Sequence, residues 1–469
     1  MSVILESEVR FSNLSMVDEV GRVFHWDGRI YRGIYPEAAE QVRELFASGC
    51  LEDLMQRKLF PKSQITDHTF EDFAFVVEHE AIPFVTYPHE WSFDMFRDAA
   101  TAILDVEEIA GRYGWGLKDC HPYNILFDGI QPKFVDLGSF ARARPDAVGW
   151  GHQFLNLCFR PLFIWSMGDS FLARRIISSG HDMMPSLSWR FYGSKLLRAT
   201  GRRLAPWIVK QRDRASRRVA RLLEAYLSSN GDENLITNRL PVELIAGHPR
   251  ILRRKIIKLK TPEVTSTWGS YHQEYLGDGK LNSTTRFNRI VEIVHSLNCK
   301  SSVELAANQG LLSLLLTIRS QVEKIACLDY DAHAINCLYN YLRQHFQLPT
   351  GKAIELAVVD FMIPETNFFT EPPAKRFRSD IVLALAVTHH LILSQGFQLR
   401  DVMRTVAGYT NRFALVEFMP LGLWDGKDAP PLPSWYNLDW FQRSFSEFFD
   451  LLQVEELETN RVLHVGRLK

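Results

Sequence analysis

The sequence predicts an α/β chain in three parts: an α+β N-terminal domain at 1–188, a helical connector at 189–265 and a Rossmann-like sheet domain at 266–469. Three observations predict the sheet domain. Apolar runs at 380–387 and 413–418 lack polar alternation, as strands buried on both faces of a parallel sheet do. Stretches with helical periodicity separate such runs. Acidic residues stand at the ends of several runs.

The acids mark one edge of the predicted sheet. Glu304 closes the first strand, and Asp329 closes the second, one strand-helix-strand unit later. A third strand at 352–362 contains Asp360, and a late strand at 461–465 is expected at the edge of the sheet. Ligands of open parallel sheets bind beyond the carboxyl ends of the strands, where an acid after the second strand can accept ribose hydroxyls. The acids therefore predict a nucleotide-like cofactor.

The turn after the first strand lacks the glycines of a dinucleotide site. A G-x-G-x-x-G run needs three glycines, and here only Gly310 remains, while Ala306 and Asn308 stand where glycines would be. This favours S-adenosylmethionine (SAM), which carries a sulfonium and an amino group, over a cofactor whose pyrophosphate seeks bare amides. The alternative is an ordinary crossover that binds nothing.

On these residues, the region from Trp268 to the C-terminus resembles the class I SAM-dependent methyltransferases. The resemblance implies that the turn after Glu304 lies under the methionine part of SAM, that Asp329 binds the ribose hydroxyls and that Asp360 accepts from the adenine amino group. The cofactor-binding residues that it implies are Glu304, Ala306, Asn308, Gly310, Asp329, Tyr330, Asp360, Phe361 and, with a packing role as the favoured alternative, Tyr271.

Two adjacent histidines, His389 and His390, follow the fourth strand, where substrate groups sit in this fold. Either could take a proton from a hydroxyl or amine during methyl transfer. The alternative is that one packs and the other caps a turn. The segments 383–391 and 416–418 are similar to nodulation-type methyltransferases, a resemblance that implies a glycan or small-molecule acceptor, with hydroxyl oxygen favoured over nitrogen.

The N-terminal domain carries a second constellation. Asp119 precedes Asn124 in an Asp-x-His-Pro-x-Asn run, and Asp136 follows in an Asp-Leu-Gly run. This pattern resembles the catalytic loop of protein-kinase-like and aminoglycoside-phosphotransferase-like enzymes. The resemblance implies that Asp119 is the base, that Asn124 and Asp136 are ligands of Mg²⁺, and that ATP is the nucleotide.

Other parts of a kinase are missing from the sequence. No glycine-rich loop precedes the hairpin predicted at 21–33, and no Val-Ala-Ile-Lys strand supplies the phosphate-binding lysine. Arg32 could replace that lysine, paired with an acid of the next helix, and 84–91 stands where a hinge is expected. Two interpretations stay open, an atypical kinase and a pseudokinase, and the missing phosphate clamp favours the pseudokinase. The acids considered as partners of Arg32 are Glu37, Glu40 and Glu44.

Composition narrows the function classes. The chain has 469 residues and a net charge of −1, which argues against a globally basic nucleic-acid binder. Scattered cysteines, no signal pattern and no bilayer-length apolar run predict a cytoplasmic protein with reduced thiols. The basic stretch from Arg190 to Arg221 could meet an anionic membrane or a phosphorylated substrate, although a solvated helix face is the favoured alternative.

These observations leave three functional hypotheses. The first is SAM-dependent methyl transfer beside a kinase-like, inactive domain. The second is a bifunctional kinase-methyltransferase that modifies one acceptor twice. The third is a scaffold in which both domains only bind, which the joint presence of Glu304, Asp329 and Asp360 disfavours.

Overall fold

The computed structural model describes residues 2–12, 15, 18–143, 149–179, 247–262, 266, 269, 273–276, 281–366, 370–424, 426–428 and 430–469. Tyr271 and the basic stretch from Arg190 to Arg221 lie outside the described residues. No helix in the described ranges is long and apolar enough to cross a membrane.

The N-terminal part begins with a five-stranded antiparallel sheet in the order β2-β3-β4-β7-β5 and a short parallel pair, β1 and β6. Its strands are β1 (Val3–Ile4), β2 (Arg10–Phe11), β3 (Gly21–Trp26), β4 (Arg29–Ile34), β5 (Ser63–Ile65), β6 (Thr69–Phe70) and β7 (Phe75–His79). Asp27 and Gly28 join β3 to β4 with φ of +46° and +72°. Two positive φ values match the twist of paired strands, and the predicted hairpin is confirmed.

Helices and small hairpins complete this part. The long helix α3 is amphipathic, and its buried face includes Ile103 and Val106. The helices are α1 (Ala39–Ala47), α2 (Cys50–Gln56), α3 (Phe93–Arg112), α4 (Gly149–Phe154), α5 (Arg160–Ser166) and α6 (Ser170–Ser179). The strands are β8 (Trp115–Leu117), β9 (Ile125–Asp128), β10 (Gln131–Phe134) and β11 (Phe140–Arg142), paired as β8 with β11 and β9 with β10.

The C-terminal part is a seven-stranded sheet in the order β14-β13-β12-β15-β16-β18-β17. Its strands are β12 (Ser301–Leu305), β13 (Lys324–Asp329), β14 (Ala353–Val358), β15 (Ser379–Ala384), β16 (Thr410–Phe418), β17 (Phe449–Glu458) and β18 (Arg461–Leu468). The strands from β12 to β16 are parallel, and their buried apolar residues confirm the sheet that the sequence predicted. The helices of the second half are α7 (Pro249–Ile257), α8 (Thr285–Ser296), α9 (Leu311–Arg319), α10 (Ala332–Gln344), α11 (Pro373–Arg376), α12 (Leu399–Gly408) and α13 (Leu438–Ser446).

One strand prediction is wrong. The late strand was expected at the edge of the sheet, but β18 lies between β16 and β17 and pairs antiparallel with both. The edge strand is β17, whose residues alternate between exposed and half-buried. Because β17 has many acids and exposed positions, it does not form the apolar run from which the sequence predicts a buried strand.

The two parts share one hydrophobic core. The same cluster of buried side chains contains Ile103 of α3 and Leu338 of α10. Asp94 at the start of α3 exchanges two hydrogen bonds with Asn336 of α10, because its amide donates to Asn336 Oδ1 at 2.9 Å and its Oδ2 accepts from Asn336 Nδ2 at 2.9 Å. Asn340 Nδ2 also donates to Asp94 Oδ2, at 2.6 Å. The N-terminal part is thereby fixed against the sheet.

The N-terminal part also covers β14, which would otherwise be an open edge. Gly129, in the turn between β9 and β10, donates its amide hydrogen to Glu355 Oε2 of β14 at 3.2 Å. The hydroxyl of Tyr339 donates to the backbone oxygen of Ile130 at 3.3 Å. Covering an edge strand removes a row of unpaired backbone groups from solvent. Burial raises the pKa of the Glu355 carboxyl well above its ordinary value.

We expect the Glu355 carboxyl to be neutral in the folded chain. Glu355→Gln should then change the free energy of unfolding at pH 5 by less than about 1 kcal/mol, whereas Glu355→Ala should cost about 2–4 kcal/mol by leaving a cavity and an unpaired amide. Because the folded chain retains a proton that the unfolded chain loses, wild-type stability should fall relative to Glu355→Gln as the pH rises from 5 to 8. Urea unfolding at both pH values measures this, and a constant difference would contradict it.

Candidate functional site

The turn between β12 and α9 has an unusual backbone. Ala306, Asn308 and Gly310 all have positive φ, at +57°, +52° and +65°. Non-glycine residues rarely adopt this conformation, and it costs about 1–3 kcal/mol when they do. Gly310 has a steric reason as well, since a Cβ there would stand 2.6 Å from Leu338 Cδ2. The turn has one glycine, Gly310, and is strained at Ala306 and Asn308, which are not glycines.

Asp329 at the end of β13 holds this turn in place. Its Oδ2 accepts from the amide of Asn308 at 2.7 Å, and its Oδ1 accepts from the amide of Asp331 at 2.8 Å. The side chain is buried, and burial raises its pKa to about 6. Each carboxylate oxygen has two lone pairs, so both oxygens can still accept from a ligand hydroxyl.

Glu304 lies in β12 beside the same turn. It is buried, and its Oε2 accepts from the hydroxyl of Ser313 at 2.6 Å. Burial raises its pKa to about 7, against the opposing effect of the Ser313 hydrogen bond and of the positive charge of Arg286. Near neutral pH this carboxyl therefore exists in both protonation states, and an ammonium group beside it would favour the ionised one.

The third acid follows the next strand along the sheet edge. Asp360 is exposed, and its Oδ1 accepts from the amides of Met362 at 2.9 Å and Ile363 at 3.0 Å. Phe361 is buried next to it, while the Tyr330 side chain is 63 % exposed. Because β12, β13 and β14 are adjacent parallel strands, their carboxyl ends bring Glu304, Asp329 and Asp360 to one edge.

A buried ion-pair cluster at this edge was not predicted. The Arg286 guanidinium of α8 donates to both carboxylate oxygens of Glu417, at 2.7 Å each, and Arg461 Nη1 donates to Glu417 Oε2 at 3.3 Å. Glu417 is fully buried at the end of β16. A glutamate in the otherwise apolar run 413–418 signals that a partner must exist, since a buried charge is stable only when paired. Spacing in the sequence does not identify that partner.

The two histidines lie beside this cluster, and Thr388, just before them, donates from its hydroxyl to the Glu417 backbone oxygen at 2.8 Å. Their ring centroids are 4.0 Å apart. Burial, helped by the charges of His390 and Arg461, lowers the pKa of His389 to about 3, and burial also lowers the pKa of His390. His389 is therefore neutral at pH 7, and its Nδ1 has no hydrogen-bond partner among the described residues. His390 is the less buried of the two.

The residues singled out in the N-terminal part are also neighbours. Asn124 Nδ2 donates to the backbone oxygen of Asp119 at 3.4 Å and to Ser139 Oγ at 3.1 Å. Ser139 Oγ in turn donates to Asp136 Oδ2 at 2.5 Å. Asp119 is exposed and accepts from Gln153 Nε2 at 3.4 Å. The loop that contains Asp119 and Asn124 and the turn after β10 thus form one polar cluster. The sequence pattern does not predict that Ser139 belongs to it.

Arg32 of β4 reaches this cluster. Its Nη1 lies 2.6 Å from Asp18 Oδ2 and 3.5 Å from Asp136 Oδ1. The expected pairing of Arg32 with an acid of the next helix is wrong, because Asp18, from the loop before β3, occupies the guanidinium instead. No cluster of three or more His, Cys, Asp or Glu side chains arranged to hold a metal ion occurs in the described part of the chain. Asn124 carries an amide and is not one of these four residue types.

Known proteins are similar to this chain. No protein-family profile matches the sequence. The chain is 25 % identical to nodulation protein NoeA of Rhizobium meliloti (strain 1021) over 433 residues, which cover 87 % of this chain and 84 % of NoeA.

Solved structures of two methyltransferases are also similar. Magnesium protoporphyrin IX methyltransferase (ChlM) from Synechocystis PCC 6803 with bound SAM has a TM-score of 0.31 and 11 % identity, and the match covers 44 % of this chain and 87 % of that one. N-methyltransferase NodS from Bradyrhizobium japonicum WM9 in complex with S-adenosyl-L-homocysteine has a TM-score of 0.31 and 10 % identity, with 43 % and 99 % covered.

The raised pKa of Asp329 predicts a pH-dependent site. If the ionised carboxylate accepts ribose hydroxyls, the affinity for S-adenosylhomocysteine should fall about tenfold between pH 8 and pH 5, because a group with a pKa near 6 is about nine-tenths protonated at pH 5. Calorimetric titration across this range checks it. Asp329→Asn should bind more weakly at pH 8 and should lose the tenfold part of the pH dependence that Asp329 contributes, while Glu304, whose pKa is raised to about 7, should keep its own contribution. An unchanged pH profile in that variant would refute the role given to Asp329.

Proposed function

We propose that the chain is a SAM-dependent methyltransferase. The observation that carries the proposal is the placement of Glu304, Asp329 and Asp360 at the carboxyl ends of three adjacent parallel strands, with the left-handed turn between the first two. Strain of this kind clusters at ligand sites. The three carboxylates also suit the groups of the cofactor. Each can accept hydrogen bonds, one from an ammonium group, one from ribose hydroxyls and one from an exocyclic amine.

The residues would divide the cofactor among them. The Ala306–Gly310 turn and Glu304 would hold the methionine end, Asp329 the ribose, and Asp360 with Phe361 the adenine. When bound, SAM supplies an activated methyl group on a sulfonium. The protein's part is then to orient the acceptor in line with that group, exclude water and receive the acceptor's proton.

Of the two histidines, His390 is the better candidate for receiving the proton. A base works best when its pKa lies near the working pH, and a pKa of about 3 makes His389 too weak. His389 instead packs beside its neighbour, with the two ring centroids 4.0 Å apart. The acceptor that we propose is a hydroxyl-bearing glycan or small molecule. Support for that class is the sequence resemblance to nodulation-type methyltransferases, together with the likeness to a nodulation protein.

Titration with S-adenosylhomocysteine tests the cofactor assignment. We expect wild type to bind, and Asp329→Ala to lose about tenfold to a hundredfold in affinity, since a hydrogen bond to a charged group contributes about 1.5–3 kcal/mol. The matched control is Asp401→Ala, which removes an exposed acid paired with Arg404 on α12 and should leave affinity unchanged. Absence of binding to folded wild-type protein would refute the proposal.

A second candidate function is nucleotide binding by the N-terminal part. The observation that favours it is the position of Arg32 against Asp136, in a cluster that also contains Asp119 and Asn124. In kinase-like enzymes, a cationic side chain on a strand of the N-terminal sheet and a metal-binding acid together hold the nucleotide phosphates. Arg32 on β4 and Asp136 would have these two roles. The bifunctional-enzyme hypothesis requires this binding, whereas a pseudokinase would bind nucleotide, substrate or a partner without phosphoryl transfer.

Thermal unfolding with ATP and Mg²⁺ tests the second function. A ligand that binds only the folded state raises the melting temperature, so we expect a rise on the order of a few degrees that requires Mg²⁺. Asp136→Ala should abolish the rise. Asp53→Ala, which removes an acid of α2 that pairs with Arg57, should keep it. No rise in wild type would remove nucleotide from the account, and ADP formation would separate the enzyme from the pseudokinase.

A further inference from the structure

The segment expected to be a kinase hinge, 84–91, lies against the methyltransferase half of the chain. It contacts the region that follows Asp360, at Glu365, Glu371 and Arg376. Asp360 is the residue assigned above to the adenine end of the cofactor. The segment that the kinase resemblance assigns to a nucleotide site therefore packs against the backbone next to the proposed cofactor site.

The strongest contact is a buried ion pair. Arg376 Nη1 donates to Glu90 Oε2 at 3.0 Å, and Arg376 Nη2 donates to Glu90 Oε1. Both side chains are only 3 % exposed. The guanidinium also donates to the backbone oxygen of Val85 and lies 4.5 Å from the centroid of the Tyr87 ring. Such a bidentate pair fixes both direction and distance, which a single contact would not.

Further contacts act on the same region. The amide of Glu371 donates to the hydroxyl of Tyr87 at 3.2 Å. His89 Nε2 lies 3.3 Å from the backbone oxygen of Glu365, and His89 Nδ1 lies 3.4 Å from the Tyr123 hydroxyl. Arg175 Nη1 forms a more exposed ion pair with Glu365 at 2.9 Å. The region is thus held on its N-terminal side near Glu365 and on its C-terminal side at Arg376.

These contacts reach the cofactor acid through a short turn. Asp360 Oδ1 accepts from the amides of Met362 and Ile363, so its carboxylate is fixed to the backbone two and three residues on. Glu365 comes two residues after that turn. The position of the Asp360 carboxylate therefore depends on a backbone that the N-terminal part holds.

We propose that Arg376, Glu90 and His89 are positioning residues for the adenine end of the cofactor site, so that the N-terminal part completes the methyltransferase whether or not it binds a nucleotide. The inference rests on the proposed function, since it assumes that Asp360 reads the adenine amino group. A positioning role and a general loss of stability predict different results. Loss of the Arg376–Glu90 pair weakens the recognition of the adenine amino group and spares the methionine end.

The test compares two ligands by calorimetric titration of the full chain. S-adenosylhomocysteine carries the adenine amino group, and S-inosylhomocysteine carries an oxygen in its place. Wild type is expected to prefer the adenosyl ligand about tenfold, the effect of one well-formed hydrogen bond. Arg376→Met is expected to reduce this preference to about twofold, and Arg376→Lys, which keeps the charge without the bidentate geometry, to give an intermediate value.

A second ion pair between the two parts, more exposed than Arg376–Glu90, serves as the control for a loosened interface. Arg343→Met removes another ion pair between the two parts, with Asp98, which lies on α3 and does not touch the region after Asp360. It should leave the preference at the wild-type value. The proposal is overturned if Arg376→Lys keeps the full wild-type preference, or if Arg343→Met lowers it as much as Arg376→Met does. Failure of wild type to bind either ligand would instead refute the methyltransferase assignment.

Discussion

The hydrogen bond from the Asn308 amide to the Asp329 carboxylate is the contact on which the site depends. It joins the turn after β12 to the end of β13, and so it holds Ala306 and Asn308 in a conformation that they would not adopt alone. The same carboxylate keeps lone pairs for a ligand. One buried acid thus shapes the cofactor turn and contributes to binding. Burial penalises its charge and raises its pKa, although the hydrogen bonds from the Asn308 and Asp331 amides act in the opposite direction.

Buried polar contacts also join the two parts of the chain. Asp94 with Asn336, Gly129 with Glu355 and Arg376 with Glu90 all cross between them, and apolar residues of both parts belong to one core. Removing one partner of such a pair leaves a buried group unsatisfied, which makes separation of the parts costly. The N-terminal part is accordingly a structural support of the sheet, whatever it binds itself.

Sequence patterns predicted the regular features of the fold and less of its chemistry. The parallel strands follow from apolar runs, and the acid positions follow from the ends of those runs. β17 was missed because an acidic edge strand lacks an apolar run, and β18 was placed wrongly for that reason. The Arg286–Glu417 pair joins residues that are 131 positions apart, and Arg32 pairs with Asp18 rather than with an acid of the next helix. Pairing across the fold depends on packing, which local spacing does not encode.

The most direct measurement is a crystal structure of the full chain with S-adenosylhomocysteine. We expect ribose hydroxyls at the Asp329 carboxylate, the adenine amino group at Asp360 and the amino-acid end over the Ala306–Gly310 turn. We also expect the Arg376–Glu90 pair to stay closed next to the adenine end. A ligand bound elsewhere, or one at this edge that makes no contact with Asp329, would refute the assignment of the cofactor site.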